Sequence, residues 1–309
     1  MKALITEAVH PCLIEGIESI GYYCDQKLGI SMEEVMTIIE NYEAIVVNSR
    51  LHLDRAFFDR AHRLKFVART GSGMEIIDQK YAEGKGVQCF NSPEGNCNAV
   101  GEHALGMLLA LLNKISTGNI EVLNEQWQRE ANRGLELDGK CVAIIGYGHT
   151  GKAFARKLRG FDVEVLAYDK YVKGFRSDFV HESSLDEIYK KADILSLHLP
   201  LTDEVKLWLN KDRIRLFKKP FFLVNTARGK VVKTTDLIEA LESGKIRGAC
   251  LDVLENERFD RYSDQDWAWF YALKKQKNII LTPHVAGWTV ESKERLARVL
   301  VDKIRTYYY

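Results

Sequence analysis

Three side chains in the second half of the chain, Arg228, Glu257 and His284, are of types that do chemistry when they meet. Arg228 stands in LVNTARGKVV after an apolar run, where a guanidinium can grip a carboxylate in bidentate fashion and polarise a carbonyl beside it. His284 stands in TPHVAGW, and imidazole is the side chain whose proton exchanges near neutral pH. Glu257, in LDVLENER, is a carboxylate able to hydrogen-bond such an imidazole, stabilise its charged form and raise its pKa. Together they suit the reduction of a 2-oxo acid, or the reverse oxidation, provided a hydride source is at hand. Singly, an arginine at a strand end is ordinarily an ion-pair partner and a histidine a satisfied structural residue. The weight lies in their co-occurrence.

A hydride source is suggested by Gly146-Tyr147-Gly148-His149-Thr150-Gly151, a G-x-G-x-x-G that directly follows the strand-like CVAIIG and opens the helical KAFARKL. Gly146, Gly148 and Gly151 permit a tight turn and let backbone N–H groups at a helix N-terminus approach a pyrophosphate. Asp169 ends the next strand, 18 positions after Gly151, where a carboxylate accepts hydrogen bonds from adenosine ribose hydroxyls and repels a 2′-phosphate. NAD is therefore favoured over NADP, although Lys170 beside it weakens the preference. The alternative for Asp169 is a solvated strand-end carboxylate.

These residues need a scaffold that gathers strand ends. Short β-branched runs alternate with amphipathic stretches from the start: KALIT near Leu4, EAIVVN around Val46, LKFVAR around Val67 and GVQCF around Val87. Such alternation implies a parallel sheet with helices on both faces. After Pro93 the stretch EGNCNAVGEHALGMLLALLNKI has apolar residues at helical spacing and predicts one long helix bridging two domains. A second series follows, with CVAIIG, VEVLAYD, ADILSLHLP, FFLVNTA, IRGACLDV and NIILTPH as strands of a dinucleotide-binding sheet. The final VESKERLARVLVDKIRTYYY is helical in periodicity and is expected to pack back on the first domain. Ligands of open α/β sheets bind outside the carboxyl edge, so Arg228, Glu257 and His284 should converge there. His103, in GEHALGM, is read as structural, with no carboxylate partner evident.

Composition narrows the class. With 309 residues, 46% apolar and 28% charged, the chain is an ordinary globular one, large enough for two domains. The 44 Lys and Arg balance 43 Asp and Glu, so no global field draws it to nucleic acid or a membrane surface. The first residues carry no apolar signal core, and no apolar run approaches the roughly 20 residues that span a bilayer. The six cysteines are scattered singly, without C-x-x-C or metal-ligand spacing. A cytoplasmic enzyme with free thiols and no metal is expected.

The chain resembles the D-isomer-specific 2-hydroxyacid dehydrogenases over about Val46 to Thr289, through ARTGSGMEIID, NSPEGNCNAVGEHALGML, IIGYGHTG, HLPLT, NTARG, LDVLENE and PHVAG in family order. The resemblance implies an α/β architecture of two doubly wound parallel-sheet domains. A Rossmann-type NAD domain, residues 98–288, would be inserted in a flavodoxin-like substrate domain, residues 1–97 completed by 289–309. It further implies that Arg228 binds and polarises the substrate, that His284 is the acid/base with Glu257 its partner, and that backbone N–H groups of Ser72, Gly73 and Met74 hold the substrate carboxylate. Cofactor contacts are implied for His149 and Thr150 at the pyrophosphate, Leu199 and Pro200 beside the adenosine, and Thr226, Asp252 and Gly287 near the nicotinamide. A homodimer built on the cofactor domains, with the helix from about Gly95 contributing, is the family's usual assembly.

The likeness is nearest to the 3-phosphoglycerate dehydrogenase branch, whose phosphate is held by arginines. Arg69 in ARTGSG and Arg129 in WQRE match, and Arg50 in VVNSR is available, but Asn48 stands where that branch often has arginine. Reduction of glyoxylate, hydroxypyruvate or a D-lactate-like acid is the enzymatic alternative, and an NAD-sensing corepressor-like protein the non-catalytic one. The chain ends at Tyr309, so feedback through a further C-terminal domain is not expected. Two departures from the family pattern stand out. Arg258 follows Glu257 where the family commonly has proline, and the 27 positions from Glu257 to His284 are more than usual. The surplus RFDRYSDQDWAWFYALKKQ reads as a packed surface helix, with closure over the cleft as the alternative.

Overall fold

A computed structural model describes residues 1–308. The chain divides into two compact units, Met1–Cys97 with Trp288–Tyr309, and Asn98–Gly287. In the first unit five short strands, β1 (Lys2–Ile5), β2 (Tyr23–Gln26), β3 (Ala44–Val47), β4 (Phe66–Arg69) and β5 (Gln88–Phe90), form a parallel sheet in the order β2-β1-β3-β4-β5. This is the flavodoxin-like winding. Alternate residues serve opposite faces: Ala3, Ile5, Ala44 and Val46 enter one apolar core, and Leu4, Ile45 and Val47 the other. The helix Val290–Tyr308 closes the first of these cores with Ala297, Leu300, Val301 and Ile304.

In the second unit β6 (Cys141–Ile145), β7 (Glu164–Tyr168), β8 (Val180–Glu182), β9 (Ile194–Leu197), β10 (Phe221–Asn225), β11 (Ile246–Leu251) and β12 (Ile279–Leu281) form one parallel sheet, ordered β12-β11-β10-β9-β6-β7-β8. β6 and β10 are buried throughout, as strands covered by helices on both faces must be. Ala143 and Ile145 face one core while Val142 and Ile144 face the other. The winding reverses between β9 and β6, and at such a switch point the strand ends part and leave room for a ligand. Every strand runs the same way, so the turns after β6, β7, β9, β10, β11 and β12 all lie at one edge.

The α/β class and the two doubly wound sheets are as the sequence implied, but three elements differ. β2 and β8 escape the pattern reading because they are short edge strands: only Cys24 is buried in the first, and the second is three residues long. The long helix stops early, at Leu112. Asn113 reaches back to the Leu109 carbonyl, and Lys114 turns left-handed with φ +53° before a separate helix, Ile115–Leu123. Apolar periodicity runs through this break because periodicity registers faces, not chain reversals. In the surplus stretch a helix does form, Asp264–Lys274, and it drives Trp269 and Leu273 into the sheet's core.

Candidate active site

Adjacent strands β10, β11 and β12 deliver the three reactive side chains. Asn225 ends β10, its side-chain amide donating to the Arg228 carbonyl at 3.1 Å and its Oδ1 accepting from the Ala227 N–H at 3.1 Å. This closes a tight turn that presents Arg228, whose Nη1 donates to the Ala227 carbonyl at 2.8 Å. A Cβ on the next residue, Gly229, would fall 1.7 Å from the Leu254 oxygen. Only glycine lets the turn after β10 lie against the loop that carries Glu257.

His284 follows β12 in a left-handed conformation, φ +56°. For a residue with a Cβ that costs about 1–3 kcal/mol and persists only when the surroundings impose it. Here they do. The His284 N–H donates to the Asp252 carbonyl at 2.8 Å, while the Asp252 carboxylate, 1% exposed, accepts from Val285 N–H, Ala286 N–H and the Thr282 hydroxyl at 2.9, 2.9 and 2.6 Å. One buried carboxylate at the end of β11 thus shapes the turn after β12. His284 Nδ1 lies 2.8 Å from Glu257 Oε2. The Glu257 hydrogen bond and charge raise the imidazole pKa above its ordinary value, against partial burial and the Arg228 charge, which lower it. With Nδ1 donating to the carboxylate, Nε2 is the nitrogen left to exchange a proton with a substrate.

The glycine turn sits at the centre of the same edge. Gly146 has φ +91°, and a Cβ there would lie 2.3 Å from the His198 oxygen; one on Gly151 would lie 2.1 Å from the Gly146 oxygen. The turn is therefore packed between β6, the loop after β9 and its own helix, His149–Lys157, which Gly148 caps and His149 and Thr150 begin. Leu199 lies over Gly146 and Pro200 is exposed. At the tip of β7, Asp169 accepts from Tyr147 N–H at 2.8 Å and from Tyr171 and Val172 N–H at 2.9 Å. Burial pushes this carboxyl up, yet those three donors outweigh it and hold the group below its usual range.

This edge fits a dinucleotide. Gly146 and Gly151 leave no room for a Cβ against neighbouring backbone oxygens, Gly148 between them opens onto free space where a pyrophosphate can approach the backbone, and the Thr226 hydroxyl beyond β10 is buried with no hydrogen-bond partner among the described residues. Asp169→Ala is expected to lower kcat/KM with NADH about 10-fold, the effect of losing one charged hydrogen-bonding group, while leaving NADPH use nearly unchanged. Steady-state kinetics with each cofactor test this, and equal use of both by the parent enzyme would remove the basis for the assignment.

In the first unit Ser72 donates its hydroxyl to Asn96 Oδ1 at 2.8 Å, and its carbonyl accepts from Asn91 at 2.7 Å, so the loop Ser72-Gly73-Met74 after β4 is tied at its start. Arg69 ends β4 with its guanidinium against Gly71. Arg50, after β3, donates to the carbonyls of Gly29 and Ile30 at 3.3 and 3.1 Å. Arg129 belongs to the other unit and is exposed in the turn beyond the helix Ile115–Leu123.

Two further histidines lie close to this edge. His103 does have a carboxylate partner: its Nε2 lies 3.0 Å from the Thr282 hydroxyl and 3.6 Å from Asp252, which ties it to the His284 turn. The pairing spans most of the unit, so no local spacing announces it. His198, in HLPLT, is buried beside the glycine turn, and burial holds its imidazole down at about 3 and therefore neutral. Its Nε2 meets the Ser196 hydroxyl at 2.9 Å.

Known proteins share this fold and much of this sequence. Residues 105–286 match the family model described as D-isomer specific 2-hydroxyacid dehydrogenase, NAD binding domain. The chain is 31% identical over 306 residues to a D-3-phosphoglycerate dehydrogenase of Archaeoglobus fulgidus, covering 98% of this chain and 56% of that protein. It is 33% identical over 289 residues to a glyoxylate reductase of Pyrococcus furiosus, covering 91% of this chain and 83% of the relative. It thus spans little more than half the length of the first of these relatives. Among solved structures, D-lactate dehydrogenase from Aquifex aeolicus, complexed with NAD and lactic acid, superposes with a TM-score of 0.84 at 28% identity, covering 99% of this chain and 95% of that one. With a glycine cradle and an Arg–Glu–His set on one sheet edge, and a family match across nearly all of the second unit, the chain belongs to the D-isomer-specific 2-hydroxyacid dehydrogenases, a family of NAD-dependent oxidoreductases.

Proposed function

We propose that this protein interconverts a small D-2-hydroxy acid and its 2-oxo acid with NAD, His284 acting as acid and base. The observation that carries the reading is the 2.8 Å contact between His284 Nδ1 and Glu257 Oε2, on the strand edge that also presents Arg228. NADH, when bound, supplies the hydride to the substrate C2. Arg228 holds the carboxylate of the acid and polarises its ketone. His284 donates a proton from Nε2 to the new hydroxyl in reduction and removes it in oxidation. Glu257 keeps the ring oriented and its charged form stable.

In this proposal 3-phosphoglycerate, glyoxylate, hydroxypyruvate and D-lactate are the substrates to compare, since the relatives' names point to each of these chemistries. Steady-state turnover of these acids with NAD(H) tests the reading. Binding of NADH with no turnover of any of them would favour a cofactor sensor instead. Glu257→Gln should displace the pH–rate profile toward lower pH, because loss of the carboxylate lets the raised His284 pKa fall. In reduction, where the imidazolium is the active form, the alkaline limb moves; an unmoved limb would separate Glu257 from the chemistry.

We further propose that two copies associate through the helix Ile115–Leu123 and the turn after it, where Ile115, Ile120, Val122, Leu123 and Trp127 are all more than half exposed and none of the helix is buried. Sedimentation at the mass of one chain would refute this. The six unpaired cysteines fit a cytoplasmic setting.

A further inference from the structure

The loop that carries Glu257 has no regular secondary structure, and the glutamate itself is partly exposed. A carboxylate so placed would sample many rotamers, and its effect on an imidazole fades with each ångström of separation. The residues on either side of it are nevertheless held. The Asn256 carbonyl accepts from the Tyr262 hydroxyl at 2.8 Å. Asn256 Oδ1 accepts from the Arg258 N–H at 3.0 Å, and the Arg258 guanidinium closes on Asp260 through two contacts of 3.1 and 3.0 Å.

Tyr262 is itself fixed. Its ring meets those of Phe259, Trp267 and Trp269 at centroid distances of 5.0, 5.0 and 5.4 Å. Trp269 is buried in the core of the sheet and donates its Nε1–H to Asp266 at 3.1 Å. Asp266 accepts from both the N–H and the hydroxyl of Ser263 at the start of the helix, and a longer 3.4 Å contact joins it to the Asn256 amide. Two tethers therefore reach the residue immediately before Glu257, one from Asp266 in the core-anchored helix and one from Tyr262, whose ring packs on that helix. Burial and the charges of Asp266 and Glu257 push the Tyr262 hydroxyl up to about 12, so it remains a hydrogen donor across the working pH range.

We propose that the aromatic segment between Glu257 and His284 braces the acid/base pair, with Tyr262 as the positioning residue that pins the Asn256 carbonyl and so sets Glu257 against the His284 imidazole. The inference rests on the reading of His284 and Glu257 given above. It accounts for the surplus length between the two residues, since the insertion supplies in tertiary contacts the rigidity that a bare loop lacks.

Tyr262→Phe in the full chain removes the hydroxyl and keeps the ring. Its expected effects are a shift of the alkaline limb of kcat for glyoxylate reduction to lower pH, smaller than that of Glu257→Gln, and a matching fall in the His284 pKa read by NMR titration of the imidazole resonances. NADH affinity should stay within about twofold, because the cofactor cradle is untouched. In a Glu257→Gln background the same substitution should move the profile no further, since the group it positions is gone. Tyr271→Ala, which thins the aromatic layer at its exposed edge, is the packing control and should leave the profile in place. If Glu257→Gln moves the limb and Tyr262→Phe does not, or if the two shifts add, or if Tyr271→Ala shifts it as far, the brace is overturned while the acid/base pair stands. If Glu257→Gln itself leaves both the limb and the His284 titration unmoved, the pair and the brace fall together.

Discussion

Replacing His284 by alanine is expected to lower kcat by about 10²–10⁴-fold while NADH affinity changes little, the range for deleting a positioned general acid. The split follows from where the residue sits. His284 rises from the tip of β12, whereas the glycine cradle lies at the tip of β6, with β11, β10 and β9 between them. Alanine adopts a left-handed conformation less readily than glycine, so a relaxed turn would add to the loss; His284→Asn, which tolerates that conformation, separates the two effects. If asparagine restores turnover, proton transfer is not the role of this side chain. If both variants bind NADH and neither turns over, the assignment holds.

Arg228→Ala should lower kcat/KM for a 2-oxo acid by about 10²–10³-fold, the effect of removing one preorganised donor from a developing oxyanion. Arg228→Lys should recover only part of that, because an ammonium lacks the guanidinium fork that meets a carboxylate in bidentate fashion. The Asn225 and Gly229 contacts that build the turn survive either change, since they do not use the side chain of residue 228, while the Nη1 contact to the Ala227 carbonyl is lost in the alanine variant. Steady-state kinetics with glyoxylate and binding of NADH by fluorescence measure the two sides of this expectation. Full activity of the alanine variant would exclude Arg228 from substrate binding. The His284 pKa offers a second check: the Arg228 charge depresses it, so it should rise in Arg228→Ala.

The fold was legible to different depths in different places. β6 is a five-residue apolar run and β10 four apolar residues closed by Asn225, each ended by a turn, and strands buried on both faces announce themselves this way. β2 and β8 do not, because an edge strand buries little and so carries little apolar signal. The break at Asn113 and Lys114 was hidden for the opposite reason, since apolar residues continue on both sides of it. Among functional groups, the arginine, glutamate, histidine and glycines stand in short runs whose chemistry can be read locally. His103 and Asp252 cannot be paired that way, being far apart in the chain and brought within 3.6 Å by the tertiary fold.

By itself the sequence determined the alternation of strands and helices, hence the parallel sheets, and the residue types at each strand tip, hence the class of chemistry. These are local properties, written in periodicity and in the turn residues that follow each apolar run. Only the tertiary structure decided that Glu257 and His284 meet at 2.8 Å, that one buried carboxylate, Asp252, imposes the left-handed turn at His284, and that an aromatic insertion steadies the loop between them. Distances of this kind depend on how neighbouring strands register and how a core-anchored helix pulls on a loop, and no spacing along the chain encodes them.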